Sequence, residues 1–137
     1  MLNYQDQTLL FELIAKRITK NVSCYAFGGT AMMFYGYKEE TKDVDVIFED
    51  DNNRNEFIKA LTGLGYKEFN PIAIYIPEKL KDKHKPLMFR RDNNRFDLFV
   101  KKIFRTVLSD KMKEDKHAVH EYNDKFTLTI NVFKTEH

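Results

Sequence analysis

The sequence has no tryptophan, only one cysteine, and a formal net charge of just +2. A lone cysteine closes no intrachain disulfide, and Cys24, in the apolar run Cys24 to Phe27, suits a small buried residue better than a reactive thiol. So small a net charge does not by itself imply nucleic-acid binding, because a dedicated binder carries a strongly basic face or domain. No apolar stretch approaches the roughly 18 residues needed to span a bilayer, and the N-terminus lacks the basic and apolar segments of a secretory leader. The cytoplasm is the expected setting, with no membrane partner. Internal repeats and low-complexity linkers are also missing, so residues 1–137 are expected to form one domain.

What the chain does have is bulk. Twelve Phe and seven Tyr supply core material, and 42% hydrophobic with 32% charged residues is an ordinary globular balance. Leu9, Leu10, Leu13, Ile14 and Ile18 recur at helical spacing and predict an amphipathic helix between Tyr4 and Lys20. Cys24 to Phe27 reads as a short buried strand that stops at Gly28-Gly29. Thr30 is the expected cap of a short helix over Ala31 to Tyr35, ended by Gly36. Asp43 to Glu49 alternates and then turns wholly apolar, which predicts a central strand with one chemically active end. Asp50 and Asp51 open a second amphipathic helix carrying Phe57, Ile58, Leu61 and Leu64 and ending at Gly65. Ile72 to Ile76 reads as a strand. Leu87 to Arg91 and Arg95 to Val100 read as a hairpin around Asp92, Asn93 and Asn94. Beyond them, Ile103 to Lys113 is expected to be helical and Phe126 to Phe133 a half-exposed strand.

Chemistry concentrates between Phe27 and Glu49. Two glycines without Cβ atoms let the backbone turn tightly and approach a polyphosphate closely, the following helix start presents free N–H groups, and Thr30 adds a hydroxyl. Asp43 and Asp45 lie two apart, so on a strand both carboxylates face one way while Val44 faces the other. Hard cations such as magnesium favour carboxylate and phosphate oxygens, and two of them can bridge the attacking and leaving oxygens of a phosphoryl displacement. Asp97, on the returning hairpin strand, is placed to supply a third carboxylate if that strand lies beside Asp43.

In this order, Gly28-Gly29-Thr30, a short helix, Asp43-Val44-Asp45 and a later strand Asp97, the chain resembles the DNA-polymerase-beta-like nucleotidyltransferase superfamily. It is most similar to the small prokaryotic members related to abortive-infection toxin nucleotidyltransferases. Their patterns GG-x-A and T-[KR]-D-[IV]-D read here as Gly28, Gly29, Ala31 and Thr41 to Asp45. The resemblance is clear from Cys24 to Glu49 and extends to Val100. It implies that Gly28, Gly29 and Thr30 hold a nucleoside triphosphate, and that Asp43, Asp45 and Asp97 bind metal, Asp97 also serving as the third catalytic carboxylate. The implied cofactor is Mg2+, as two ions, with Mn2+ as a substitute. The implied reaction transfers a nucleoside monophosphate to an acceptor hydroxyl of RNA, protein or a small molecule, and a toxin–antitoxin setting goes with it. The expected fold is α/β (α+β), a minimal nucleotidyltransferase fold with a small mixed sheet backed by helices on one face and the other face open or used for association. Larger members add C-terminal helices that grip base or acceptor, a surface that a partner subunit or second copy of this chain would have to supply. The rival reading is a noncatalytic, antitoxin-like or regulatory binding module on the same fold.

Each signal also has a plainer reading. Gly28-Gly29 alone is a common turn, and Asp43-x-Asp45 alone a solvated strand end; together and in order they favour a site. Asp97 can form a surface ion pair with Arg95, though the catalytic role is favoured. Arg90, Arg91 and Arg95 are equally suited to a phosphate or to the surface. Lys79, Lys81, Lys83, Lys85 and His84 read better as a solvated loop than as a nucleic-acid patch. Lys42 is expected to point away from the aspartates, and His117 and His120, at helical spacing without further ligands, read as surface histidines.

Overall fold

The computed structural model describes residues 2–36, 40–41, 43–69, 86–103, 106–107 and 116–133. Strand β1 (Leu2–Asn3) leads into helix α1 (Tyr4–Ala15). The start is a reciprocal cap: the Asn3 side chain accepts the Asp6 N–H at 2.8 Å, and the Asp6 carboxylate accepts the Asn3 N–H at 3.2 Å. The helix ends at Ala15, short of Lys20. Leu10, Phe11 and Ile14 form its buried stripe, whereas Leu9 and Leu13 are exposed, and Ile18 is buried from the connection that follows.

Next come β2 (Val22–Ala26), α2 (Gly28–Phe34), β3 (Glu40–Thr41), β4 (Asp43–Phe48) and α3 (Asp51–Gly63). Asp50 caps α3 by accepting the Asn53 N–H at 2.8 Å. Helix α2 begins at Gly28, so Phe27 rather than Thr30 holds its cap position, and Gly36 follows at φ 79°. The rest of the order is β5 (Lys67–Phe69), β6 (Leu87–Arg91), β7 (Asn94–Val100), β8 (Lys102–Ile103), β9 (Thr106–Val107), β10 (Lys116–Asn123) and β11 (Thr127–Phe133). Within the expected helix Ile103 to Lys113, the described residues form instead an antiparallel pair, β8 with β9; Thr106 and Val107 are β-branched and pair more readily than they coil. The expected strand Ile72 to Ile76, Lys42, and the lysine run from Lys79 to Lys85 lie outside the described residues.

One seven-stranded mixed sheet runs in the order β10-β11-β2-β4-β7-β6-β5. Helices α1 and α3 back one face. There Val44, Val46 and Phe48 of β4 meet Phe11, Phe57, Leu61, Phe96, Leu98 and Ile130, all with no measurable exposure. Phe57 sits edge-on to Phe48 and Phe96, with ring centroids 5.3 and 5.8 Å apart. The alternate residues of β4, Asp43, Asp45 and Ile47, face the other way. That second face is not open: Ile47, Tyr25 and Phe99 form a separate buried cluster against which Phe27 packs. The expected α+β class with a mixed sheet backed by helices on one face is therefore what is found. No described helix is long and apolar enough to cross a membrane.

Candidate active site

The site begins with register. β4 and β7 run parallel, with Asp43 opposite Arg95 and Asp45 opposite Asp97. Residues paired across neighbouring strands share a face, so all three aspartates and Arg95 converge on the face away from α1 and α3. The sequence offered Asp97 either as a third carboxylate or as a surface ion pair with Arg95. It is 8% exposed, so it is not a surface residue, yet it does pair with Arg95. One nitrogen of Arg95, Nη2, donates to Asp43 Oδ2 at 2.9 Å and to Asp97 Oδ2 at 3.0 Å.

The glycine turn closes over the same cluster. Gly28 has φ 59°, in the left-handed region that glycine adopts without strain. A Cβ at this position would stand 3.1 Å from Asp45 Oδ2, so the turn backbone packs directly against that carboxylate. The first bond within the helix runs from the Ala31 N–H to Phe27 O, downstream of the Gly28 and Gly29 amides.

Thr30 has a different task from the one expected. It is fully buried, and its hydroxyl accepts the Asp45 N–H at 2.8 Å. Strand β2 pairs with β4 only as far as Ala26 opposite Val46. One step further the Phe27 N–H still reaches Asp45 O at 3.2 Å, but Phe27 O is already committed to the helix. The Thr30 hydroxyl takes the place of that missing ladder acceptor. It lies within the protein, where it fixes the strand that carries the aspartates, instead of lying at the surface of the turn.

Electrostatics follow from the crowding. Burial, then Asp97 and Asp43, push the Asp45 carboxyl up to about 7. Asp97 is raised as well, by burial first, with Arg95 opposing the shift. Asp97 Oδ1 is buried and receives no hydrogen bond from a fixed donor among the described residues; a proton on Asp45 is the nearby means of satisfying it. Three carboxylates against one guanidinium leave an excess of negative charge that only protons or cations relieve.

In donor chemistry alone, the cluster is of the kind a divalent metal favours. The oxygens are hard donors on two adjacent strands, one buried oxygen lacks a fixed donor among the described residues, and Arg95 already stands between two carboxylates as a cation. As placed, with Arg95 between them, the aspartates form no ready-made cage; among the described residues no group of three or more His, Cys, Asp or Glu side chains is preassembled around a metal position.

Beside Asp43 opens a cleft of about 440 Å³ walled by Phe69, Arg90, Asn94 and Arg95 and by the tip of the β6–β7 hairpin. Arg90 lies opposite Arg95 in register, and its guanidinium sits 4.9 Å over the Phe69 ring. Arg91 belongs elsewhere: it covers Tyr66 and donates to Leu64 O. His120 is on strand β10 rather than a helix, half-buried and stacked on Phe34 at 4.3 Å, and desolvation lowers its pKa.

The signal that pointed to the site was spacing: Asp43 and Asp45 two apart on a strand, after two glycines. Arg95 as a joint partner of two aspartates, and Thr30 as a replacement for the strand ladder, were missed, because both depend on which strands become neighbours. No protein-family model, no curated protein and no solved structure matches the chain.

Proposed function

We propose that the protein transfers a nucleoside monophosphate from a nucleoside triphosphate to an acceptor hydroxyl, releasing pyrophosphate. The observation that carries this reading is the convergence of Asp43, Asp45 and Asp97 on one face of β4 and β7, beneath the Gly28 turn. Divalent cations, when bound, would neutralise the triphosphate and stabilise charge on the attacking and leaving oxygens. Asp43 and Asp45 would hold them with Asp97. The amides of Gly28 and Gly29, at the start of α2, would face phosphate oxygens, and Thr30 keeps Asp45 in place from below. Asp97, whose pKa burial raises, would suit acceptance of the acceptor hydroxyl's proton. Arg95 and Arg90 line the cleft through which an anionic substrate would approach.

The test is incubation with each labelled nucleoside triphosphate, Mg2+ or Mn2+, and pooled RNA or protein acceptors. Label transferred by wild type and not by Asp43→Asn/Asp45→Asn supports the reading. If neither transfer nor metal-dependent triphosphate binding occurs, the protein is a noncatalytic module built on this fold.

A further inference from the structure

The three aspartates are not without a cation: Arg95 already fills that role. Its Nη2 lies almost equidistant from Asp43 Oδ2 and Asp97 Oδ2, at 2.9 and 3.0 Å, between the two strands where an ion shared by those oxygens would sit. A guanidinium binds a carboxylate best as a two-nitrogen fork, and a single nitrogen divided between two carboxylates is a weaker arrangement. The Arg95 Nε is buried with no partner among the described residues, a further sign that the pose is not the optimum for this side chain. Arg95 is also 37% exposed on its side chain, so its guanidinium has water to move into, while Asp97, 11% exposed, needs another cation once Arg95 leaves. A divalent ion held by Asp43, Asp45 and Asp97 would bring twice the charge of the guanidinium.

The direction of departure is also set. Arg95 forms part of the cleft wall, and its cross-strand partner Arg90 faces the same space, held over Phe69. Two guanidinium groups on neighbouring strands, one of them no longer paired, make a site for the oxygens of a phosphate group.

We propose that Arg95 is the resident counter-cation of the aspartate cluster, that a divalent cation binds by displacing it, and that the released guanidinium joins Arg90 in binding a phosphate group in the adjoining cleft. The inference rests on the functional reading above and adds an order to it: metal entry creates the anion site. Metal and phosphate then favour each other's binding, a reciprocal coupling of a kind that typically amounts to about 5–150-fold in affinity.

The experiment measures Mn2+ binding to the full chain by electron paramagnetic resonance without nucleotide, and then inorganic phosphate binding to the Mn2+-loaded protein by calorimetry. Wild type is compared with Arg95→Gln and Arg95→Ala, folding being checked by circular dichroism. The expected result has opposite signs in one variant: Mn2+ binds about tenfold tighter without Arg95, while phosphate binds the loaded protein at least several-fold more weakly. Damage to the fold would loosen both, so opposite signs in one variant are not the mark of a misfolded protein. Unchanged or weaker Mn2+ binding in both variants overturns the displacement, and unchanged phosphate binding overturns the role in the cleft. If Mn2+ binds none of the folded proteins, wild type included, the functional reading falls together with this inference; if Mn2+ binds all of them equally, the inference alone falls.

Discussion

Among the three aspartates Asp45 is the one whose charge the surroundings oppose most, since burial and two neighbouring carboxylates all favour its protonated form. Structural residues are seldom placed so, and the argument predicts a split response. Asp45→Asn should lower transfer by at least about 10²–10³-fold, the scale of losing one electrostatic contact in a transition state. It should also leave the melting temperature unchanged or raise it, because an unfavourable buried charge is removed. A large fall in both would mean that Asp45 serves the fold. Gly28→Ala tests the turn: the left-handed φ costs a non-glycine residue about 1–2 kcal/mol, and the new methyl presses on Asp45 Oδ2. Activity should fall more than stability does. Thr30→Val leaves the Asp45 N–H without its acceptor and should cost about 1–3 kcal/mol, with Thr30→Ser restoring most of it in urea titrations. At this scale the sequence was half legible. Strand periodicity alone places Asp43 and Asp45 on one face; that Asp97 joins them, and that Arg95 serves two aspartates, depends on the register of β4 with β7, which no local pattern encodes.

Elements were legible where a period or a cap was strong. Strand β4, helix α3 with its Asp50 cap, and the β6–β7 hairpin fall close to their expected bounds, the hairpin turn narrowing to Asp92 and Asn93 with Asp92 at φ 55°. They were illegible where apolar residues served a loop, as with Ile18 after α1, or where short β-branched runs carried no clear period, as at β8 and β9. The tie between α3 and the connection after α1 was invisible for the same reason. Glu56 of α3 is buried, and its Oε1 accepts both the Thr19 N–H and, at 2.6 Å, the Thr19 hydroxyl. Those bonds favour the ionised form and hold its pKa below the ordinary carboxylate value. A carboxyl with a depressed folded pKa stabilises above its unfolded pKa, and that stability is lost as pH falls through the folded value. Glu56→Gln should therefore cost about 1–3 kcal/mol near neutral pH. The gap to wild type should close as pH drops below about 4, approaching the folded pKa. A gap independent of pH would assign the cost to packing alone.

At the scale of the molecule, the site depends on a strand far from it in sequence. Strand β11 enters the sheet parallel to β2, with Leu128 opposite Val22 and Ile130 opposite Cys24, and so lies between β10 and the strand that leads into the glycine turn. Leu128, Ile130 and Val132 are completely buried, the first two in the core beneath the helices. Asn131, on the opposite face, donates to the Ser23 hydroxyl and to Cys24 O at 3.0 Å each, fastening β2 along its length. Because β2 fixes where Gly28 turns, loosening β11 should reach the aspartates only through global stability. Ile130→Ala is expected to cost about 2–5 kcal/mol, whereas Val119→Ala, on β10 with an exposed side chain, should stay within about 0.5 kcal/mol. Well below its melting temperature, the Ile130→Ala protein should keep near wild-type Mn2+ affinity in the folded fraction, since neither the aspartates nor Arg95 has changed. Metal affinity falling in step with the truncation at a temperature where the protein is fully folded would instead mean that β11 sets the geometry of the cluster directly, through β2 and the Phe27–Asp45 bond.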